Sequence, residues 1–386
     1  MRTFVLLLFL SCFSLFYGAE KALYEGRFDT ESTGIFLPVE IEGKECKFLF
    51  DTGASFVVLD KKFKAVLGNP LSLKETQART GIAFSSKRIM TPNGEVSLDL
   101  YKALPVKLGR LQIANRFPYI LADLQTLWPF SGVEFCGILG TSFLYQFRWE
   151  INFKEGRIKA YVGAEPYMGE YNSRKPIYWS KAHIPYVGVD FQGKEIAFDI
   201  DLGDNGNGRI RKKNLLFLKR SGEVLKTQMQ DVITVSSLSQ SEEFRLRSLH
   251  FAGVNYPEVV MQVSQQNALG LAFFNRHDVV LDFPFNMLYL QHHQDYAKRQ
   301  EVDKSGIRVI LKEKKIIVFS IKPIEGALIY DIEKDDEIVS VNGKQNLSLY
   351  QIRQLLRGKE GERLSLEIKR DKKLLHTHIV LGPDPL

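Results

Sequence analysis

Two aspartates stand in related settings: Asp51 in FLFDTGAS (48–55) and Asp201 in FDIDLGDN (198–205). The kinship extends upstream, since VEIEGKE (39–45) precedes the first Asp by the same interval at which VDFQGKE (189–195) precedes the second. An Asp delivered once by each of two duplicated halves points to a paired-carboxylate site. Two carboxylates held about 3 Å apart cannot both ionise, so one keeps a proton and the pair titrates as a unit. Such a pair takes a proton from water while giving one to a carbonyl oxygen or a leaving amine, and hydrolyses a peptide bond without metal, cofactor or covalent intermediate. In Asp51-Thr52-Gly53 the hydroxyl can lock the loop by hydrogen bonding, and the glycine admits a second backbone at close range.

The elements that must position these residues are short strands. Apolar stretches at 36–41, 47–50, 57–59 and 158–162, separated by Gly, Asn, Pro and Lys clusters, predict an all-β body. The FLF before Asp51 is the pattern of a strand covered on both faces. Each half carries a second related segment, CGILGTSFLYQFRWEINFKEGRIKAY (136–161) and NALGLAFFNRHDVVLDFPFNMLYL (267–290). Both run from an apolar-Leu-Gly corner through a short aromatic helix or turn into two strands, aligning Gly140 with Gly270, Asn152 with Asp282 and Phe153 with Phe283. The aromatics Trp128, Phe130, Phe143, Tyr145, Phe147 and Trp149 fit core packing, and His277, between Arg276 and Asp278 on a helix-like stretch, fits a surface salt-bridge network.

At this point the chain resembles the pepsin and retropepsin families of aspartic peptidases over roughly 36–290. DTGAS matches their Asp-Thr-Gly signature and GILG (137–140) their apolar-apolar-Gly segment. The resemblance implies two duplicated β-barrel lobes, 20–165 and 166–292, with Asp51 and Asp201 as the catalytic pair between them. Thr52, Gly53, Ser55, Gly203, Gly140 and Gly270 would support the pair, and a hairpin near 79–94 would close over a polypeptide substrate. Three departures fall on the chemistry. Leu202 stands where Thr52 does, so half of the family's reciprocal hydroxyl lock is lost, and Asp204 and Asp199 replace Ala54 and Leu49. Extra carboxylates would raise Asp201 or demand a cation or basic neighbour such as Arg209 or Arg211. Two readings follow: an exported aspartic endopeptidase, or a catalytically inactive peptidase-fold scaffold. A two-chain site built from paired DTGAS lobes is disfavoured by the intact second repeat. The run DIDLGDNGNG (199–208) opens like a calcium loop but has Ile210 where the closing Glu would be, so no metal and no cofactor is expected.

A charged stretch, 293–304, reads as a linker, and 305–383 resembles a small PDZ-like α+β domain of the bacterial exported-protease type. Its marks are SGIRV (305–309), VFSIKPIEGAL (318–328) and DDEIVSVNGKQ (335–345), although the family motif usually has Gly at the position of Asp335. The resemblance implies that a peptide or protein C-terminus adds as a strand between the segment after Gly306 and a helix at 349–356, its carboxylate held by N–H groups of Ser305, Gly306 and Ile307.

The full 386 residues allow two or three domains. The net charge of +7 is dispersed, which argues against a nucleic-acid partner. Residues 1–19 read as a signal peptide: Arg2, then about 13 apolar residues, too few to span a bilayer comfortably, then Gly18-Ala19 as a cleavage site. The mature protein is therefore expected in the periplasm or secreted, and at a membrane only if this segment is retained or Cys12 is lipidated. Cys46 and Cys136 would remain. They could pair in an oxidising compartment, but two buried thiols are the simpler expectation. Gly-x-Ser-x-Gly, His-Glu-x-x-His and P-loop motifs are absent.

Overall fold

The computed structural model describes residues 21–80, 88–91, 94–97, 99–113, 117–191, 193–233 and 238–386. The signal-like segment lies outside them. So do 81–87 and 92–93 of the expected flap, of which the antiparallel pair Arg88–Thr91 and Gly94–Ser97 is described.

The chain is mainly β, and its duplication is visible in the ladders. The first lobe's sheet runs, neighbour by neighbour, Leu100–Tyr101, Tyr119–Ala122, Val58–Asp60, Gly137–Leu139, Lys44–Phe50, Phe36–Ile41, Val106–Leu108, Leu111–Ile113. The second repeats this order with Leu238–Leu246, Val260–Ser264, Gly208–Arg211, Ala268–Gly270, Lys194–Asp201, Pro185–Phe191, Ser248–Phe251 and Val254–Pro257, extended by Val224–Ile233. In the first, Leu139 lies beside Phe50 in a parallel pair; in the second, Leu269 lies beside Ile200. Period-two burial explains the strands: Phe48 and Phe50, like Phe198 and Ile200, are fully buried in one core, while Leu49 and Asp199 face the other way.

The lobes join through a sheet of six strands among the described residues, in the order Tyr24–Arg27, Arg157–Tyr161, Arg148–Asn152, His277–Asp282, Met287–His292, Ser173–Pro176. Across its centre Glu150 pairs with Val280. These two positions are equivalent under the alignment of Gly140 with Gly270, so the pseudo-two-fold axis passes between them, as an isologous interface requires.

The sequence-based assignment of His277 is overturned here. It begins a strand rather than lying on a helix, and it is fully buried, with His292 Nδ1 at 3.2 Å from its Nδ1 and the Tyr256 hydroxyl at 3.3 Å from its Nε2. Ser173 holds the other side of His292, and His293 pairs with Asp278. Burial, then the neighbouring His292, His293 and Arg276, push His277 down to about 3. An unfolded histidine titrates near ~6.5, so the unfolded state binds the proton first. Stability should therefore be full above that value and fall by a few kcal/mol as pH drops toward ~3. Thermal melts from pH 7 to 4 are expected to show this decline, flattened in His277→Gln. Parallel curves for the two proteins would refute it.

Cys46 and Cys136 are bonded, not free buried thiols. Cys136 immediately precedes Gly137–Leu139, which runs parallel to the strand carrying Cys46 and brings the two Cα atoms to 6.1 Å. Phe143, Phe147 and Trp149 are core residues as expected, but Tyr145 is exposed, and Trp128 and Phe130 are half-buried at the edge of the lobe.

The C-terminal unit has its own core around Ile307, Val318, Ile338, Leu349, Ile352 and Leu366. Its sheet orders Ile307–Lys312, Lys315–Ile321, Glu337–Val341, Arg363–Arg370, Lys373–Val380 and Leu328–Ile329. A capping box between Ser348 and Gln351 starts the helix Leu349–Leu355. Asp335 has φ +72°, the left-handed conformation that explains the family's glycine there. The segment 293–304 is docked rather than loose. Val302 is buried with Val260 and Leu386, and the Tyr296 carbonyl accepts from Arg276.

Candidate active site

Asp51 directly follows, and Asp201 ends, the central strand of its lobe, and the pseudo-dyad sets each carboxyl group against the glycine of the other loop. The glycines show why no other residue fits. A Cβ on Gly53 would collide with the carboxyl group of Asp201, and one on Gly203 with that of Asp51. Each carboxylate accepts from its own glycine, Gly53 N–H at 2.8 Å and Gly203 N–H at 3.2 Å, and Asp201 also from Asp204 N–H at 3.1 Å. Thr52, fully buried, donates to the Ile200 carbonyl at 2.6 Å and accepts from Leu202 N–H at 3.0 Å. Leu202, also fully buried, has no hydroxyl to return the bond.

Two short helices hold the loops from behind. Thr141 N–H donates to the Ala54 carbonyl and Ser142 N–H to that of Ser55; Leu271 N–H donates to Asp204 and Ala272 N–H to Gly206. Gly140 and Gly270 precede these helices, and a Cβ on Gly140 would strike the Phe56 and Ala54 carbonyls and one on Gly270 those of Gly206 and Asp204. The second loop has gained one residue after Asp204. That insertion places Arg209, not an apolar residue, opposite Ala268, in the position that Val58 takes opposite Ile138.

The insertion accounts for the acidic run. In the first lobe Leu49, Ala54 and Val58 form an apolar patch with Ile138 and Phe36. Their counterparts in the second are Asp199, Asp204 and Arg209. The Arg209 guanidinium ion-pairs with Asp201 through Nη2, and its Nε lies 3.1 Å from Asp204 Oδ2 without hydrogen-bond aim. Arg211 points elsewhere, to the Gln265 carbonyl. Of the two basic neighbours weighed from sequence, the ladder selects the first. Among the described residues no group of three or more His, Cys, Asp or Glu has metal-holding geometry.

Electrostatics make the pair unequal. Burial and the Asp201 charge hold Asp51 well above the carboxylate range. Burial raises Asp201 too, but Arg209 opposes it, and the hydrogen bond from Asp51 favours its ionised form. Burial and Asp201 push Asp199 up to about 6. Burial alone would lower Arg209, yet Asp204, Asp201, Asp51 and Asp199 hold it above its ordinary value. The pair therefore shares its proton as a unit, with the guanidinium of Arg209 favouring negative charge on the Asp201 side.

Ser305 and Ile307 are buried at the start of the PDZ-like unit, with Gly306 between them. Their N–H groups are already used: Ser305 and Gly306 donate to Asp303 Oδ1 at 2.9 and 3.1 Å, and Ile307 to the Ser305 hydroxyl at 3.0 Å. No sequence motif pointed to Asp303 in this place.

Two duplicated β lobes, each bringing one Asp-x-Gly loop to a shared axis, define the aspartic-peptidase architecture. Residues 37–143 match the family described as aspartyl protease, and residues 305–381 match the PDZ domain. The chain therefore carries an aspartyl protease domain and a C-terminal PDZ domain. The matched segment ends within the first lobe, and the kinship of the second rests on its repeated ladder. Among curated proteins no match to the chain was found.

Proposed function

We propose that this chain is an exported aspartic endopeptidase in which anionic Asp201 takes a proton from water while neutral Asp51 gives one to the carbonyl oxygen of the scissile peptide bond. The contact of the two carboxyl groups beneath reciprocal glycines carries this reading. The PDZ domain supplies a second surface for polypeptide. Export is supported by the signal-like segment 1–19 and by the Cys46–Cys136 disulfide, which an oxidising compartment preserves. An exported protein whose first residue lies before Gly18 would overturn the cleavage site.

Cleavage of an unfolded polypeptide by the full chain between pH 3 and 7 tests the activity. Turnover should be blocked by a statine-type transition-state analogue. The scaffold reading draws on the missing hydroxyl at Leu202 and on the guanidinium that occupies Asp201. Absence of cleavage across the whole range, together with saturable peptide binding to the PDZ groove, would favour that reading instead.

A further inference from the structure

Among the described residues the edge strand of the PDZ sheet, Ile307–Lys312, pairs with Lys315–Ile321 alone, and it also contacts the helix Leu349–Leu355. This is where a peptide strand would add. The place is taken by the first lobe's turn Trp128–Ser131, which packs directly on the edge strand. Arg353, on the helix, donates to the carbonyl of Phe130 at 2.8 Å and to that of Val309 on the edge strand at 2.9 Å. The Phe130 ring meets Phe319 edge-on at 5.3 Å, Leu349 packs on the backbone of Gly132, and Gln351 reaches Glu31 at 2.9 Å. At the other end of the groove, Asp303 puts its carboxylate on the N–H groups of Ser305 and Gly306.

We propose that the PDZ groove is an interaction surface whose resident ligand is the chain's own turn 128–132, with Asp303 standing in for the terminal carboxylate, so that a polypeptide in trans binds only by displacing this latch. The occupant is specific because one guanidinium joins the carbonyls of both partners. A strand in trans must recover those bonds and also release the Phe130 ring. The turn continues into the apolar patch behind the catalytic loop: Leu127 and Trp128 pack in the cluster that holds Leu49 and Ala54. Displacement therefore loosens the support of Asp51. That last step rests on the peptidase reading, whereas the latch itself does not.

The probe is a fluorescent peptide of sequence QTLWPFSGVEF, residues 125–135, titrated into the full chain by polarisation. Phe130 is half-buried at the lobe edge, so Phe130→Asp releases the turn while leaving the groove intact. This variant should bind the peptide about tenfold or more tightly than wild type, and adding Arg353→Gln should remove the gain. Equal binding by wild type and Phe130→Asp, or binding by neither, overturns the latch. Hydrogen exchange on wild type is a second measurement that needs no variant. Amides of 307–312 and 128–132 should share one opening free energy, and two unrelated values overturn the proposal. Tight peptide binding with an unchanged cleavage rate would refute only the link to Asp51.

Discussion

Asp51→Asn is expected to lower kcat/KM by about 10³- to 10⁴-fold, and Asp201→Asn by a similar factor, because in the proposed mechanism each removes one half of a proton relay that acts as a unit. The double variant should be little worse than either single one. Unfolding would not explain the loss. The pKa of Asp51 is raised on folding, so this carboxyl group costs stability as pH rises above the unfolded carboxylate range, and a neutral isostere should leave the melting temperature unchanged or higher. In wild type the acid limb of the rate profile reports protonation of the anionic partner and the alkaline limb loss of the last shared proton. Both carboxyl groups are raised by burial, so the active window is expected above the usual carboxylate range. Steady-state kinetics of the three variants, with melts alongside, check this. Full activity in either single variant would remove that aspartate from the chemistry.

Arg209→Met is expected to destabilise the fold by about 3–5 kcal/mol at pH 7, since Asp201 and Asp204 would lose the cation that balances them. The sign with pH follows from Asp201, whose carboxyl group burial raises. Carboxyl groups raised on folding favour the folded chain below the unfolded pKa and penalise it as pH rises through the folded value. The deficit should therefore be largest at neutral pH and shrink toward pH 4, in contrast to the acid loss expected from His277. Copying the first lobe's patch should reverse it: Asp199→Leu, Asp204→Ala and Arg209→Val together replace an ionic cluster with an apolar one of the kind that packs at Leu49, Ala54 and Val58. Such exchanges are often neutral or stabilising by about 1–4 kcal/mol. Denaturant unfolding at several pH values measures both effects. A single variant as stable as wild type at pH 7 would show that the guanidinium is not needed to balance the cluster.

The disulfide and His277 show where a linear reading gives out. Cys46 and Cys136 lie far apart in sequence, and only the parallel register of their strands brings them within bonding range. His277 sits between charged residues in sequence, which suggested an exposed face. In the inter-lobe sheet its side chain instead points between His292 and Tyr256. The extra carboxylates beside Asp201 raise the need for a cation or a basic neighbour, and Arg209 fills it. The cation proved to be a side chain of the same chain.

From sequence alone the Asp-x-Gly loops, the apolar strands that carry them, the repeated Gly140 and Gly270 corners and the PDZ-like tail were legible. Each depends on residues close together in the chain, whose spacing follows from strand geometry and close backbone approach. Tertiary structure decided which basic residue met Asp201, because one inserted residue shifted the ladder and put Arg209 where Val58 would predict an apolar contact. It also decided what lies in the PDZ groove, since Phe130, Val309 and Arg353 belong to three distant segments joined through a single guanidinium. Strand propensity and burial patterns are written locally. The pairing of buried charges and the occupant of a sheet edge depend on register and docking, which the folded chain alone supplies.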